Sequence, residues 1–501
     1  MARENITRSM LALALALACT AVAQDSPFPP ASELADKPAA SIALKAGQYA
    51  GRPAEWGLIV VPENRNRAGA RLMRLPFVRV RAQEDARAAP LFLLNGGPGD
   101  SNVFGNDPAP IFSRYNDLVM VGYRGVDSSA QLKCPEVGKA MTVDNPLSPE
   151  GLEHIRETLR TANRALREAG VDLDGFTLLE VVDDLEAVRG ALGYERVNLF
   201  SISYGTLLAH AYCRRYPASV RRSLMAGAGH IGRPLAWEPS VVHELLRRYG
   251  ELWKQDPAAT ARTPDILQTM RRMLDTLPRQ WERIRIDRDK VRIAAFHMLY
   301  ETETAAMVFD AFVAAEEGDY SGLAMLSVGY DEGVAKEAYW CEFYSKAVST
   351  GFDPPPDLEA SAEPGGAVLG APLTALVWGP VAGRGWPITP VPAEFRKPAI
   401  TDVPTLVLMG SLDFAAPPRY ARELMSYLPK GQLVLIEGVG HNEVVRGQRE
   451  AFEHLMVRFL VEGAFDGSRF KPQAVSFRPK ETLQEIARRT LTPPTTRTSQ
   501  P

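Results

Sequence analysis

Ser203 lies where a serine could act as a nucleophile. Residues 197–202 before it form a short apolar run, and the residues after it begin a helical pattern. A strand that turns sharply into a helix exposes a serine hydroxyl at the end of the strand, provided that small residues flank the serine. Ser201 and Gly205 are both small, although the usual pattern has glycine at both positions. The pattern predicts a nucleophile, and a buried structural serine is the alternative.

A serine hydroxyl is a weak nucleophile at neutral pH, so it needs a base and a carboxylate that orients the base. Asp413 follows a predicted strand at 405–409, and His441 follows the next one at 432–437. An aspartate in such a loop could also form a turn or cap a helix. The chain order Ser…Asp…His at three strand ends is nevertheless that of hydrolases with a strand–serine–helix turn. Ser203, Asp413 and His441 are therefore the predicted catalytic residues.

Acyl transfer also needs hydrogen-bond donors for the developing oxyanion. The backbone N–H of Tyr204, directly after the serine, is one predicted donor, and the glycine-rich loop at 95–99 is the predicted source of the other. Gly97 is the favoured donor in this loop, and Gly96 is the alternative. A phosphate-binding loop is disfavoured because neither Gly-x-Gly-x-x-Gly nor the P-loop lysine is present.

The elements that must position these residues are strands that alternate with helices. This alternation predicts a mostly parallel α/β sheet, with the catalytic residues at the carboxyl ends of its strands. Residues 232–398 lack the alternation and are predicted to form a large helical cap between the nucleophile and acid strands. The core would then comprise residues 24–231 and 399–465, followed by a partly disordered extension at 466–501.

Composition excludes several other classes of function. The net charge of −3 provides no electrostatic basis for binding nucleic acid or an anionic membrane surface. The chain has no His-Glu-x-x-His motif and no paired Cys-x-x-Cys, so neither a metal ion nor another cofactor is predicted.

The N-terminus has the pattern of a secretory signal peptide. Two arginines precede a short apolar run at 10–18, and small residues at 21 and 23 predict cleavage after Ala23. Lipidation at Cys19 is less favoured, because Ala16 stands where a lipoprotein signal prefers leucine. The apolar run is too short to cross a bilayer. We therefore expect a periplasmic or extracellular protein without stable membrane insertion.

Cleavage would leave three cysteines, which predicts one disulfide and one free thiol in an oxidising compartment. Cys213 lies on the predicted helix after Ser203, where a buried thiol is expected. Cys134 and Cys341 lie in loop-like surroundings and form the favoured pair.

Several motifs are similar to those of the proline iminopeptidase and tripeptidyl aminopeptidase family of α/β-hydrolases. They are the 95–99 loop, the Arg124-Gly125 turn, the segment 184–193, Ser203-Tyr204-Gly205-Thr206, Pro417-Pro418 and Gly440-His441. The likeness covers residues 47–230 and 375–462, and the helical insertion matches the family's cap only in position. Gly122-Tyr123 departs from the family's Asp-Gln before the Arg-Gly pair. The resemblance implies an α/β-hydrolase fold.

It also implies an exopeptidase that releases proline-like residues or tripeptides from the N-termini of short peptides through an acyl-enzyme. Such an enzyme must bind an ammonium group, for which cap carboxylates are candidates. Glu342 is the first candidate, followed by Glu337, Glu301 and Glu303, and each could instead be a solvated helix residue. A carboxylesterase or another acyl hydrolase with the same triad is the alternative. A non-catalytic binding protein of the same fold is a third possibility.

Overall fold

The computed structural model describes residues 26–83, 88–104, 109–229, 231–337, 339–352, 367–382 and 384–491. The predicted signal peptide at 1–23, with Cys19, lies outside these residues, as does the end of the predicted extension. Across the described ranges, no helix combines the length and the apolar character that a membrane span requires.

A nine-stranded sheet forms the centre of the molecule, and a separate hairpin (β8, β9) lies in the insertion. In chain order the strands are β1 (Ile42–Tyr49), β2 (Arg52–Pro62), β3 (Leu72–Val80), β4 (Leu91–Leu94), β5 (Leu118–Val121), β6 (Val197–Ile202), β7 (Val220–Ala226), β8 (Gln280–Trp281), β9 (Ile284–Arg285), β10 (Thr405–Gly410) and β11 (Gly431–Ile436).

The spatial order of the sheet is β1-β2-β3-β5-β4-β6-β7-β10-β11. Strands β1, β2, β3 and β5 pair in antiparallel fashion, whereas all pairs from β5 to β11 are parallel. Every residue of β4 and β10 is buried, as expected for parallel strands that are covered on both faces. The predicted mostly parallel α/β sheet is confirmed. Its register places the carboxyl ends of β4, β6, β7, β10 and β11 along one edge.

Helices cover the sheet and form the insertion. Those before the insertion are α1 (Ala109–Phe112), α2 (Pro135–Met141), α3 (Pro149–Glu168), α4 (Leu178–Ala191) and α5 (Gly205–Arg215). Those of the insertion are α6 (Pro239–Gln255), α7 (Pro257–Thr260), α8 (Ile266–Asp275), α9 (Arg288–Met298), α10 (Thr302–Glu316), α11 (Ser321–Lys336), α12 (Trp340–Ser349) and α13 (Pro372–Trp378). Those after it are α14 (Pro418–Met425), α15 (Glu443–Arg446), α16 (Arg449–Met456) and α17 (Leu483–Leu491).

The insertion is tied to the core by covalent and polar contacts. Cys341, on α12 of the cap, forms a disulfide with Cys134, which directly precedes α2, so the structure joins the pair that the sequence favours. Cys213 is a buried free thiol. Within the predicted extension, α17 packs against the cap, where Gln484 Nε2 donates to Asp310 Oδ2 at 3.1 Å.

A buried charge network lies between the β2–β3 turn and α4. The fully buried Arg124 guanidinium donates from Nε and from NH2 to the two oxygens of Asp184, both at 2.7 Å. Its NH1 group also lies 3.2 Å from Glu180 Oε2. Arg65 forms ion pairs with the same two carboxylates. Arg124 and Asp184 both belong to motifs that are similar to those of the hydrolase family. Their ion pair shows that these two motifs hold the turn after β5 against α4.

Replacing Arg124 with methionine should lower the free energy of unfolding by about 3–5 kcal/mol, because two buried carboxylates would share one arginine. Urea unfolding followed by circular dichroism would measure the loss. The control is Arg247→Met, since Arg247 forms an exposed ion pair with Glu251, at 3.0 Å, that should contribute under about 1 kcal/mol. Equal losses in the two variants would contradict a special role for the buried network.

Candidate active site

Ser203 occupies a strained turn between β6 and α5. Its φ of +54° is uncommon for a residue with a side chain, and its N–H donates to Ala226 O at 3.0 Å. A Cβ atom at Gly205 would lie 2.1 Å from the Leu94 carbonyl oxygen, so only glycine fits there. Ser201, which replaces the usual glycine, is buried in β6. The strand, the sharp turn and the helix are those that the sequence predicts around a nucleophilic serine.

Asp413 and His441 form a buried hydrogen-bonded pair beside this turn. His441 Nδ1 lies 2.8 Å from Asp413 Oδ2, and Asp413 Oδ1 accepts from the Ala416 N–H at 2.7 Å. An ionised aspartate can only accept, so this pair assigns the proton to Nδ1 and leaves Nε2 as the proton acceptor. Burial lowers the pKa of His441, but Asp413 outweighs this effect, so the pKa is raised overall.

The end of β7 contacts both Ser203 and the histidine. Ala226 accepts the Ser203 N–H, and the next residue, Gly227, lies against the imidazole. A Cβ at Gly227, whose φ is +57°, would lie 2.5 Å from His441 Cε1 and 3.4 Å from Asp413 Oδ2. The three predicted residues thus lie at the same edge of the sheet, with the end of β7 next to all of them. His441 Nε2 is buried and has no hydrogen-bond partner among the described residues, so it is available to accept a proton.

The glycine-rich loop after β4 passes directly beside Ser203. A Cβ at Gly96 would lie 3.2 Å from Ser203 Cβ and 3.7 Å from its Oγ. Asn102 holds this loop, because its Oδ1 accepts from the Asn95 N–H at 2.9 Å and its amide donates to Leu93 O and Val121 O. The loop that carries Gly96 and Gly97 is therefore fixed next to the hydroxyl, where oxyanion donors are needed.

Asp127 is a second anchor of this loop, and sequence reasoning missed it. Its carboxylate accepts from Ser101 Oγ at 2.6 Å, from the Asn102 N–H at 3.1 Å and from the Tyr123 N–H at 2.8 Å. Burial is the largest influence on this carboxyl and raises its pKa. No local motif marks the residue, because its partners come from two different loops.

Glu342 lies behind the glycine-rich loop. It is buried and forms an ion pair with Lys346 Nζ at 3.0 Å through Oε1, while its Oε2 has no hydrogen-bond partner among the described residues. Lys346 also donates to Phe176 O at 3.1 Å. Burial raises the pKa of the Glu342 carboxyl in spite of the lysine. The side chain that the sequence places first for ammonium binding is therefore already paired with a cation.

The other three predicted carboxylates have different surroundings. Glu303 is exposed and pairs with Lys480 at 2.8 Å, and Glu337 accepts the Tyr339 N–H at 2.7 Å. Glu301 lies nearest the histidine. Its Oε1 accepts from the N–H of Asn442 at 3.1 Å and from its side-chain amide at 2.7 Å.

Three successive N–H groups around the histidine are held by polar contacts. The His441 N–H donates to Tyr300 O at 2.7 Å, and the Asn442 N–H donates to Glu301. The Gly440 N–H donates to Glu443 Oε2 at 2.5 Å, while Glu443 Oε1 accepts from the Thr302 N–H at 3.0 Å. The cap residues at 300–302 thus dock onto the loop that carries His441 and hold it in place.

A small cavity of about 40 Å³ adjoins the serine on the other side. Ser203, Gly227, Trp237 and Arg233 are among the residues that line it, together with further, mostly apolar residues of the insertion and the core. Trp237 is fixed there, since its Nε1 donates to Ala415 O at 3.0 Å. The arrangement provides a mostly apolar recess beside the hydroxyl.

The geometry agrees with two matches to known families. The family model for the α/β hydrolase fold matches residues 89–298, which include Ser203, and the model for TAP-like proteins matches residues 374–469, which include Asp413 and His441. Only residues 299–373, the middle of the insertion, lie between the two matched segments.

Three curated relatives align with part of the chain. Serine protease Hip1 of Mycobacterium tuberculosis is 31% identical over 189 residues, which are 34% of this chain and 35% of that protein. Tripeptidyl aminopeptidase of Streptomyces coelicolor is 27% identical over 202 residues, 37% of each chain. Proline iminopeptidase of Xylella fastidiosa is 26% identical over 176 residues, 34% of this chain and 51% of that protein.

The chain thus spans about a third to a half of the length of the curated relatives that it matches. The parallel sheet, the strained serine turn and the two matched segments lead to one assignment. This chain belongs to the α/β-hydrolases, in the family that includes the tripeptidyl aminopeptidases and proline iminopeptidases.

Proposed function

We propose that this protein is a serine exopeptidase that releases residues from the free N-termini of short peptides. The observation that carries the proposal is the buried His441–Asp413 pair, with an available Nε2, next to the strained turn of Ser203. Two of the relatives are named as aminopeptidases of this kind, and a third is named as a serine protease.

The proposed reaction is acyl transfer in two stages. Ser203 Oγ attacks the carbonyl carbon while His441 Nε2 accepts the hydroxyl proton, and Asp413 stabilises the imidazolium. His441 then donates the proton to the leaving amine as the C–N bond breaks. In the second stage His441 accepts a proton from water as the water attacks the ester, and then donates it to Ser203 Oγ as the ester C–O bond breaks and the acid is released.

Backbone donors stabilise the negative charge on the carbonyl oxygen in both stages. The proposed donors are the N–H groups of Tyr204 and Gly97, with Gly96 as the alternative to Gly97. Gly96 contacts Ser203 closely, and the anchored loop needs no reorganisation during the reaction. One such donor typically lowers the barrier by about 3–4 kcal/mol.

The position of the cap favours an exopeptidase over an endopeptidase. Cap residues 300–302 contact the histidine loop directly, and Trp237 lines the same small cavity as the serine. A chain end can enter such a covered site, whereas a continuous polypeptide would have to pass through it.

We also propose that the protein is exported through residues 1–23. The Cys134–Cys341 disulfide supports this proposal, because such bonds persist mainly in oxidising compartments. Fractionation of expressing cells, with mass spectrometry of the mature N-terminus, would test it. Retention of residues 1–23 in a cytoplasmic protein would contradict it.

A fluorophosphonate probe and a substrate panel would test the proposed activity. The probe should label wild type and not Ser203→Ala. The panel compares prolyl, alanyl and tripeptidyl arylamides with their N-acetylated forms and with a short-chain ester. Preference for arylamides with a free amino group supports the exopeptidase. Preference for the ester would indicate a carboxylesterase, and absence of labelling would indicate a non-catalytic binding protein.

Glu301→Gln should move the acidic limb of the pH profile of kcat/KM to lower pH. That limb reports protonation of the free enzyme's base, here His441. Asp413 and then Glu301 raise the pKa of His441, Arg446 opposes them, and the rings of Tyr300 and His297 lie nearby. Loss of the Glu301 charge should therefore lower this pKa, while the glutamine oxygen can still accept from the Asn442 loop.

The matched control is Glu303→Gln, because Glu303 is two residues away, exposed and paired with Lys480. Its acidic limb should coincide with that of wild type. If the acidic limb of Glu301→Gln stays at the wild-type pH or moves to higher pH, the Glu301 charge does not raise the pKa of the base.

A further inference from the structure

The Asp100 carboxylate differs from the four predicted cap carboxylates because none of the described residues forms an ion pair or a side-chain hydrogen bond with it. Glu301, Glu303, Glu337 and Glu342 each accept hydrogen bonds or form ion pairs. Among the residues that the structure describes, Asp100 has neither an ion-pair partner nor a side-chain hydrogen bond, and burial is the one influence on its pKa. It directly follows the glycine-rich loop beside Ser203.

Asp100 lies at the end of the glycine-rich loop, packed against Gly97, and its side chain is exposed to water. Desolvation by the surrounding protein nevertheless raises the pKa of its carboxyl group. The side chain therefore reaches water from a partly enclosed position beside the loop. His297 shows the same combination on the cap side, next to His441. It is exposed, and desolvation followed by the charge of His441 lowers its pKa to about 4.

The backbone at Asp100 is held firmly at this place. A Cβ at Gly97 would lie 3.1 Å from the Asp100 nitrogen and 3.5 Å from its Cβ, so Asp100 folds back against the proposed oxyanion donor. Asp127 accepts from the Ser101 hydroxyl at 2.6 Å and from the Asn102 N–H at 3.1 Å. The two residues that follow Asp100 are therefore anchored.

A carboxylate that is partly desolvated and has no partner in the protein can still bind a cation from outside it. A cationic nitrogen with several N–H donors would provide charge-assisted hydrogen bonds to such a carboxylate. An α-ammonium group has this chemistry, and so do the side chains of lysine and arginine.

We propose that Asp100 is a specificity-determining residue that binds the α-ammonium group of the substrate from the side of the glycine-rich loop. The inference rests on the proposed exopeptidase function and names the side chain that recognises the free N-terminus. The oxyanion loop would then supply both a donor for the carbonyl oxygen and an acceptor for the amine. Because the loop is anchored, the distance between these two groups limits how many residues lie between the N-terminus and the cleaved bond.

The experiment measures kcat/KM of wild type, Asp100→Asn and Asp36→Asn on three arylamide substrates. One has a free amino group, one is its N-acetylated form, and one is an N-acetylated arginyl arylamide. Asp36 is exposed and lies in the N-terminal part of the chain, so Asp36→Asn should match wild type on all three. Asp100→Asn should lose roughly 30- to 100-fold on the free-amino substrate and far less on the N-acetylated one.

Three results would overturn the inference. An equal loss on the free-amino and N-acetylated substrates would mean that Asp100 only supports the loop, and the rate of fluorophosphonate labelling would fall with it. A loss confined to the arginyl substrate would show that Asp100 binds a basic side chain of the substrate and not its α-ammonium group. A wild type that prefers free-amino substrates, together with Asp100→Asn that keeps this preference, would overturn the inference and leave the proposed function standing.

A wild type that has no preference for a free amino group would contradict the proposed function itself, and the inference with it. Asp100→Glu provides a check on folding, because it keeps the charge. Asp100→Glu should recover part of the preference for a free amino group that Asp100→Asn loses. If Asp100 had only a structural role, Asp100→Glu would be as impaired as Asp100→Asn.

Discussion

Asp413→Asn should hydrolyse aminoacyl arylamides with a kcat about 10⁴-fold below that of wild type. Asp413 Oδ2 lies 2.8 Å from His441 Nδ1, and Oδ1 is held by the Ala416 N–H at 2.7 Å. If the asparagine oxygen keeps the Ala416 hydrogen bond, its amide group faces Nδ1 as a donor. The imidazole would then carry its proton on Nε2 and could not accept one from Ser203.

The measurement is kcat on the best substrate of the panel, with circular dichroism to verify the fold. Asp402→Asn is the matched control, because Asp402 is exposed and lies shortly before β10. It should retain the wild-type kcat. A fall of less than tenfold in a folded Asp413→Asn protein would show that this carboxylate does not orient the base.

Gly227→Ala should lower kcat by about 10²- to 10³-fold, since misplacement of a catalytic group by about 1 Å costs roughly 10²-fold. The added methyl group would lie 2.5 Å from His441 Cε1 and 2.7 Å from its Nδ1. The imidazole would have to move away from Asp413, or the end of β7 would have to move away from the imidazole. Either movement separates the base from Ser203, because Ala226 accepts the Ser203 N–H.

Two further glycine-to-alanine variants distinguish the steric clash with His441 from the strain of a side chain at positive φ. Gly69 has a φ of +70° and no atom within 4 Å of an added Cβ, so Gly69→Ala carries the strain alone. Gly190 lies in α4 with a helical φ and equally open space, so Gly190→Ala should be neutral or slightly stabilising. Thermal unfolding and kcat should be measured for all three variants. Similar kcat values in Gly227→Ala and Gly69→Ala would contradict the proposed contact with the base.

The residues of the proposed triad could be predicted because each follows a strong local pattern. Ser203 lies between an apolar strand and a helix, and Asp413 and His441 follow apolar strands. Parallel strands bring their carboxyl ends to one edge, so three residues far apart along the chain meet there. The pairing of Cys134 with Cys341 could also be predicted, since Cys213 lies on a helix that the sequence marks clearly.

The partners of the cap carboxylates could not be predicted. Glu301, Glu303, Glu337 and Glu342 lie in or beside helices, and their sequence surroundings are similar. Their partners include residues up to 177 positions away, as in the pair of Glu303 with Lys480. Helical periodicity says which face a residue occupies, but it does not say which distant cation faces it.

The sequence by itself determined the fold class and the three residues at the strand ends, because hydrophobic patterns and turn chemistry act between neighbouring residues. Only the tertiary structure decided which partner each carboxylate has among the described residues. That outcome depends on the desolvation and pairing of each charge, and both result from contacts between segments that are distant in the chain. Asp100, Asp127 and Gly227 acquire their proposed importance in this way.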